Sequence, residues 1–572
     1  MDFSIWFLAG AAMVFFMQCG FAMVESGFTR AKNAANIIMK NLMDFCMGSI
    51  CFVLIGFSLM MSSNYAFGLI GIPDMGIFNG YENFDYSDFV FQLVFCATAA
   101  TIVSGAMAER TKFSAYIIYS IVMTTAAYPI QAGWTWNESG WLYNLGKNGY
   151  IDFAGSSVIH MMGGISAFIG AAFLGPRLGK YSIDKKTGKK KSHAIPGHSL
   201  ALGALGVFIL WFGWYGFNGA AAENISQLGS IFLTTTAAAA AATVATMTFT
   251  WMKNGKPDVS MTLNGSLAGL VAITAGCASV DALGALVIGL VAGILVVLAV
   301  EFIDLELHVD DPVGAVAVHG VNGIWGTLAV GLFAKPITSG GDVISEASGL
   351  FYGGGAEQLI VQSVGVLAIT AWTVVTMCAT FFLIKKFNGL RASAEDEIMG
   401  LDTAEHGLQS SYADFMPVIP PDLRALNGES KGMAPVAPEA AVQVTDVSTG
   451  TKMTKVTIVT KQNKFEALRE VFDQIGITGI TVTNVMGYGV QRGHTHTYRG
   501  VPLESPLIPK VQIDVVISKI PVSALVEAVR KTLYTGNIGD GKIFVYDVEN
   551  VIKIRTGEEG FSALQDASIG DE

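Results

Sequence analysis

The sequence predicts an all-α polytopic membrane domain followed by a smaller soluble α+β domain. Three observations carry this expectation. The chain of 572 residues is 52% hydrophobic and only 14% charged, whereas soluble domains average about one quarter charged. The apolar excess stops near Phe387, and the rest has the composition of an ordinary soluble protein. The stretch DFAGSSVIH (Asp152 to His160) returns as DPVGAVAVH (Asp311 to His319), so both read D-x-x-G-x-x-x-x-H within apolar surroundings.

A membrane-spanning helix needs about 20 mainly apolar residues. Eleven such runs occur, near 5–24, 41–61, 89–108, 113–131, 155–174, 200–219, 229–250, 262–280, 284–303, 314–334 and 357–384. The opening MDF lacks the basic segment of a cleaved signal peptide. Arg30, Lys32 and Lys40 follow the first run, and Arg110 and Lys112 the third. A lysine-rich loop from Arg177 to Lys191 follows the fifth, and Lys253 and Lys256 the seventh. The loop after the second run is acidic, with no Lys or Arg. Basic loops stay on the cytoplasmic side. The N-terminus is therefore expected outside and the C-terminus in the cytoplasm, which an odd number of spans satisfies. The six cysteines lie in apolar runs without a C-x-x-C pair and read as small buried residues.

The repeated motifs introduce the fifth and tenth runs. Five spans per half gives the halves opposite orientation. Inverted repeats of this kind are a transporter arrangement, with the site near the midplane where the halves meet. Each aspartate sits where a helix begins and can accept exposed backbone N–H groups. Asp152 and Asp311 are therefore assigned mainly to architecture, with direct cation binding the alternative. From Gly155 to His160 a helix rises about 7.5 Å, which carries the histidine into the apolar layer. A membrane histidine can be a packing residue, but two at matching repeat positions favour a shared path. Imidazoles there can orient a small polar solute or pass a proton. No third ligand accompanies the pattern, so no metal and no cofactor are expected in this domain. Aromatic side chains line up beside it: Phe91, Phe95, Trp134, Trp136, Trp211, Trp214, Tyr215 and Phe217. Their faces can hold a cation at about 0.5–2 kcal/mol each, while packing and interfacial belts account for many aromatics.

With these residues in view, the chain over about 4–407 resembles the ammonium transporter (Amt/Mep/Rh) family, on its Amt branch. The likeness is carried by ESGFTRAKNAANIIMKN, TIVSGAMAER, DFAGSSVIH, WYGFNG, NGSLAGLVAITAGC, DDPVGAVAVHGVNGIWG and GLRASAEDEIMGLDTAEHG. It implies a multi-pass homotrimer in the cytoplasmic (inner) membrane with one pore per subunit. It also implies ammonium or ammonia as substrate, with methylammonium a further one. His160 and His319 match the twin pore histidines, Phe95 and Phe217 the stacked rings closing the outer vestibule, Trp136 the recruitment tryptophan and Asp152 the aspartate near the entrance. The family often has FNAGS where this chain has FNGAAA, so Ala221 replaces a serine that accepts a hydrogen bond from the recruited cation. One such contact is worth about 1–3 kcal/mol.

Residues 388–407 are polar and acidic and resemble the family's regulatory tail. Residues 408–450 hold five prolines without periodicity and read as a flexible linker. From 451 to 560, KVTIVT and ITVTNVMGYG alternate as strands, and KFEALREVFDQIG has helical spacing with a glycine stop. After the loop VQRGHTHTYRGVPLESPLI come KVQIDVVIS, the helix SALVEAVRKTLYTG and a last strand through GKIFVYDVENVIKIR. This β-α-β, loop, β-α-β order is ferredoxin-like. Residues 561–572 form a C-terminal tail. The turn TGNIGDGKIF, with Gly539, Gly541 and Lys542, can cradle phosphates, and Lys553 and Arg555 alternate onto one strand face.

TNVMGYGVQRGHTHTYRG, YTGNIGDGKIFV and VIKIRTGE make this part similar to the PII signal-transduction proteins. That likeness implies ATP or ADP, Mg2+ and 2-oxoglutarate as ligands. Lys542, Lys553 and Arg555 match nucleotide-contacting positions, Gln491 the Mg-ATP and 2-oxoglutarate site, and Lys510 a 2-oxoglutarate contact. Arg499 matches the arginine of the T-loop, which in relatives docks on the cytoplasmic face and plugs the channel. Leu503 stands where many relatives carry a modifiable tyrosine, so direct ligand sensing is expected rather than modification. Neither an enzyme nor a nucleic-acid partner is indicated. The leading expectation is a regulated ammonium transporter; the alternative is an ammonium sensor with little net flux.

Overall fold

The structure is a computed structural model that describes residues 3–73, 78, 84–183, 188–339, 342–408, 452–461, 464–477, 479–487, 496–498, 501–503, 508–534 and 540–564. The chain divides into two compact units, one built on Met1–Val418 and the other on Ile419–His496 with Glu504–Glu572.

The first unit is helical. In chain order its apolar helices are α1 (Ile5–Gly27), α2 (Ala31–Met61), α3 (Tyr86–Ala106), α4 (Phe113–Trp136), α5 (Ser156–Leu174), α6 (Leu200–Gly219), α7 (Ile225–Asn254), α8 (Val259–Thr274), α9 (Ala282–Glu306), α10 (Val316–Phe333) and α11 (Glu357–Phe387). Ten are long and apolar enough to cross a membrane, and α8 is shorter at 16 residues. Side-chain caps open several of them. Asp85 accepts from the Ser87 and Asp88 N–H groups at 2.9 and 3.0 Å, Asp258 from Met261 at 3.0 Å, and Asp281 from Gly284 at 2.8 Å. Each cap is worth about 1 kcal/mol.

The sequence extends the eighth run to residue 280, but α8 ends at Thr274. The Ser156 hydroxyl, at the start of α5, accepts the Ala275 N–H at 2.7 Å and donates to the Val271 carbonyl at 2.7 Å. The chain then turns, with the Val280 N–H on the Gly276 carbonyl at 3.1 Å.

Small residues let particular helices touch backbone to backbone. A Cβ on Gly27 of α1 would lie 2.5 Å from the Gly203 nitrogen of α6. A Cβ on Gly164 of α5 would lie 2.0 Å from the Gly320 nitrogen of α10, and one on Gly323 would lie 2.5 Å from the Ser156 carbonyl oxygen. The two motif-bearing helices therefore cross at contact distance.

Two short helices follow α11: α12 (Ala394–Met399) and α13 (Leu401–His406). They fold back onto the same unit. Within α2, Asn33 does not cap with its side chain the α-helical stretch that starts at Ala34. Asp402 does so instead, accepting the Ala35 and Asn36 N–H groups at 3.1 and 2.8 Å. Glu397 accepts from Arg391 and from the Leu178 N–H, both at 2.6 Å.

The second unit contains β1 (Thr454–Lys461), α14 (Phe465–Gln474), β2 (Thr481–Gly487), β3 (Ile508–Ile517), α15 (Val522–Leu533) and β4 (Lys542–Asp547). The sheet runs β4-β1-β3-β2 with every neighbouring pair antiparallel. Val456, Ile458, Ile513 and Val515 alternate onto one face and are buried with Leu468 and Phe472 of α14 and Leu525 and Val529 of α15. The last strand is shorter than expected. It ends at Asp547, and Lys553 and Arg555 lie in a turn. The Asn550 side chain accepts the Val551 and Gly560 N–H groups at 2.9 and 3.0 Å, and Gly557 has φ +71°, which closes the turn instead of continuing the ladder.

Candidate functional site

The site is built where the two motifs meet. Each motif forms a turn of π-helix at the start of its span, Ser156–Met161 and Val316–Val321, and each is entered through a left-handed glycine, Gly155 at φ +106° and Gly314 at φ +83°. Such π segments widen the helix and re-aim side chains, often at functional sites. The aspartates hold these starts. Asp152 accepts the N–H groups of Gly155, Ser156, Ser157 and Val158 at 2.7 to 3.0 Å and the Ser157 hydroxyl at 2.6 Å. Asp311 accepts those of Val313, Gly314 and Val316 at 3.3, 2.9 and 2.8 Å.

This geometry brings His160 and His319 together. Their Nδ1 atoms are 3.1 Å apart and their rings stack at 5.2 Å and 24°. One Nδ1 therefore donates while the other accepts, which ties the tautomers of the two rings to each other. Both histidines are buried, and among the described residues the Nε2 atom of His160 has no hydrogen-bond partner.

Aromatic rings pack against His160. The His160 ring stacks on Trp214 at 5.1 Å and on Phe217 at 5.3 Å. Phe217 stacks on Phe95 at 4.3 Å and 28°, and Phe95 touches Trp136 at 5.9 Å. The Trp136 indole donates to the Asp152 carbonyl at 2.9 Å, which fixes the ring beside the motif. The row Trp136, Phe95, Phe217, His160, His319 is thus continuous. Ala221 lines a cavity with Phe7, Asp85 and Asp88.

A family model described as Ammonium Transporter Family matches residues 5–411, and one described as Nitrogen regulatory protein P-II matches 453–558. The chain belongs to the ammonium transporter family. It carries a P-II domain fused at its C-terminal side. Among relatives, it is 46% identical over 427 residues to Ammonium transporter Amt2 of Archaeoglobus fulgidus, covering 72% of this chain and 88% of that one. It is 37% identical to Ammonium transporter 1 member 3 of Solanum lycopersicum, covering 71% and 92%. Among solved structures, it is similar to one described as Sensor Amt Protein, with TM-score 0.64, 38% identity and coverage of 71% and 98%. It is also similar to Saccharomyces cerevisiae Mep2, with TM-score 0.61, 27% identity and coverage of 69% and 88%. Members of both families are transporters and regulators, not enzymes.

Three further residues of this ammonium transporter family member matter to the site; the sequence offers Trp214 only as one aromatic among several and does not single out Asp310 or Glu25. Trp214 packs on His160 and donates to the Thr274 hydroxyl at 2.9 Å. Asp310, next to Asp311, accepts from Arg177 through Nε at 2.9 Å and Nη2 at 3.0 Å, and Arg177 also donates to Glu109 at 2.7 Å. Glu25 lines the same small cavity as His319. In the P-II domain, Gly541 and Lys542 line a cleft with Arg530, Lys531 and Tyr534. Gly541 has φ +130°, and a Cβ there would meet the Val459 carbonyl oxygen at 2.4 Å. Lys510 pairs with Lys461 and Val485 in the sheet. Lys510, Lys553 and Arg555 do not line that cleft within one chain. Gln491, Arg499 and Gly539 lie outside the described residues.

Proposed function

We propose that this chain moves ammonium across the cytoplasmic membrane through a pore in each subunit, and that its P-II domain regulates the flux in cis. The observation that carries this reading is the contact of His160 and His319 directly behind the stacked Phe95 and Phe217 rings. Ammonium meets the face of Trp136 at the outer mouth, where a cation–π contact holds it before dehydration. The closed phenyl stack excludes hydrated ions. Behind it, the orphaned Nε2 of His160 supplies the first hydrogen-bonding partner for the solute. A proton left by ammonium passes along the linked imidazoles while neutral ammonia follows the apolar path.

In this reading α8 serves as the eighth of eleven spans and the two groups of five are inverted repeats. The close α1–α6 and α5–α10 crossings support it, because they pair the first and the fifth helix of each group. The N-terminus lies outside and the P-II domain in the cytoplasm, with three chains in the assembly. The strand order of the second unit supports the ferredoxin-like plan. Its residues fit a nucleotide. Arg530, Lys531 and Lys542 offer cationic groups around a cleft whose Gly541 keeps the backbone free of a side chain. When bound there, ATP or ADP, with Mg2+ and 2-oxoglutarate, supplies a charge that biases the T-loop between docked and released states. Arg499 is the residue assigned to the block. ADP favours the docked, closed state; Mg-ATP with 2-oxoglutarate favours release. Tethering makes regulation a matter of ligand state rather than partner concentration.

The second reading is a sensor that retains the pore but carries little flux, favoured by the similarity to the solved Sensor Amt Protein. Purified full-length chain in liposomes separates the two when methylammonium uptake is followed with internal ADP and then with Mg-ATP plus 2-oxoglutarate. Uptake that rises in the second condition supports regulated transport. Equal uptake in both refutes the switch, and no uptake in either favours the sensor.

A further inference from the structure

Glu25 is a buried carboxyl that the pore described above does not use. It is 3% exposed and lies one turn from the end of α1. It accepts from the Ser104 hydroxyl of α3 and from the Asn41 amide of α2 at 3.0 Å. Among the described residues it forms no ion pair; Lys40, on the facing helix, donates to the Thr111 carbonyl at 3.3 Å instead. Glu25 and His319 line one cavity of about 20 Å³, together with Phe21, Asn264 and Val313. A cavity of that size between two polar groups has room for about one water. A carboxyl within a span, facing such a cavity, is expensive to keep in an apolar layer and is functional by default, and Lys40 acts on it only from beyond ion-pair distance.

We infer that Glu25 is the proton acceptor that follows His319, on the side of the pair that the basic loops make cytoplasmic. The inference rests on the transport reading proposed above. The step balances as a simple transfer. An N–H bond of the imidazolium formed from His319 breaks, directly or through one water, and an O–H bond forms on the Glu25 carboxylate. Glu25 then returns the proton to cytoplasmic water and becomes a carboxylate again. Ser104 and Asn41 are positioning residues, because their two hydrogen bonds fix the carboxyl beside the cavity. The pore accordingly has a direction in its chemistry: aromatic faces and an orphaned ring nitrogen on one side of the histidine pair, a carboxyl on the other.

The test is the ratio of current to substrate uptake in full-length protein reconstituted in liposomes, for wild type, Glu25→Gln and Glu25→Asp. Glu25→Gln keeps the side-chain shape but cannot carry a proton. It should lose ammonium-evoked current by roughly a hundredfold, the scale of a positioned proton acceptor, with partial recovery in Glu25→Asp. Wild-type current in Glu25→Gln overturns the inference and leaves the transport reading intact. Absence of both current and uptake in wild type overturns both. If Glu25→Gln does not purify as a single species, infrared difference spectra of wild type and Ser104→Ala test the same step. A carboxyl band that responds to ammonium and shifts in Ser104→Ala supports the inference; no such band, or one unmoved by Ser104→Ala, overturns it.

Discussion

The two histidine segments share a sequence pattern and a local fold, yet they are anchored by different means. The His160 segment is held by its own aspartate: Asp152 is buried and accepts four backbone N–H groups and one hydroxyl. The His319 segment is capped by a more exposed aspartate: Asp311 is half-buried and accepts from the Val313, Gly314 and Val316 N–H groups at 3.3, 2.9 and 2.8 Å. Its preceding residue adds a second anchor. Asp310 forms a buried ion pair with Arg177, which also holds Glu109, and Glu109 accepts from Arg30 as well. One half fixes its histidine by backbone capping, the other by charges reaching across to neighbouring loops. The surroundings differ in the same sense. His160 is enclosed by Trp214 and Phe217, whereas His319 opens on a cavity with Glu25. A repeated motif thus supplies the symmetric part of the site, and unrepeated neighbours give each side its own chemistry.

Substitutions can break this contrast in a graded way. The largest effect is expected at Arg177. Arg177→Met leaves Asp310 and Glu109 as buried charges short of a partner, which costs about 3–5 kcal/mol, read as a fall in the unfolding temperature of the purified protein. Asp152→Ala comes next. It strips the acceptor from several buried N–H groups and should cost about 3 kcal/mol. Asp311→Ala should cost about 1 kcal/mol, an ordinary cap. Equal losses at Asp152 and Asp311 would erase the proposed difference between the halves.

The pH dependence sharpens the same point. Burial opposes the charge on Asp310 and Glu109, but the adjacent arginines outweigh it and hold both carboxyls below their ordinary values. A carboxyl depressed in the folded state binds its proton more weakly there than in the unfolded chain. Its stabilisation is therefore complete above the ordinary carboxylate range, about pH 4, and is lost as pH falls below it. Wild type should lose stability on acidification in that range, and Arg177→Met should show a flatter profile. The smallest effect is expected outside the pair. Ala221→Ser adds a hydroxyl to the cavity it shares with Asp85 and Asp88 and should tighten half-saturation by ammonium by about 1 kcal/mol, without changing stability.

The sequence made much of this legible, for reasons that particular residues explain. The long apolar runs predict the helices because a spanning helix is specified by local composition. The twin histidines were readable because the same aspartate and glycine precede both at the same spacing. What failed to show depends on distant partners. Ser156 ends α8 from more than a hundred residues away, so no local signal marks the stop. Asp310 and Asp311 are adjacent; the repeated motif marks Asp311 as the cap, but nothing local marks Asp310 as the partner of Arg177. Glu25 reads as a charge at the edge of an apolar run until α2 and α3 enclose it. In the P-II domain, the alternation through Lys553 and Arg555 suggests a strand, while the Asn550 side chain closes a turn there.

The central claim is that the paired histidines, behind the phenyl stack, form the working path for ammonium. The most direct measurement is the current evoked by an ammonium step in liposomes containing full-length wild type or the His160→Ala, His319→Ala double variant, at matched protein content. Wild type should give a clear current, and the double variant should lose it. An ammonium-evoked current of the same size in both would contradict it.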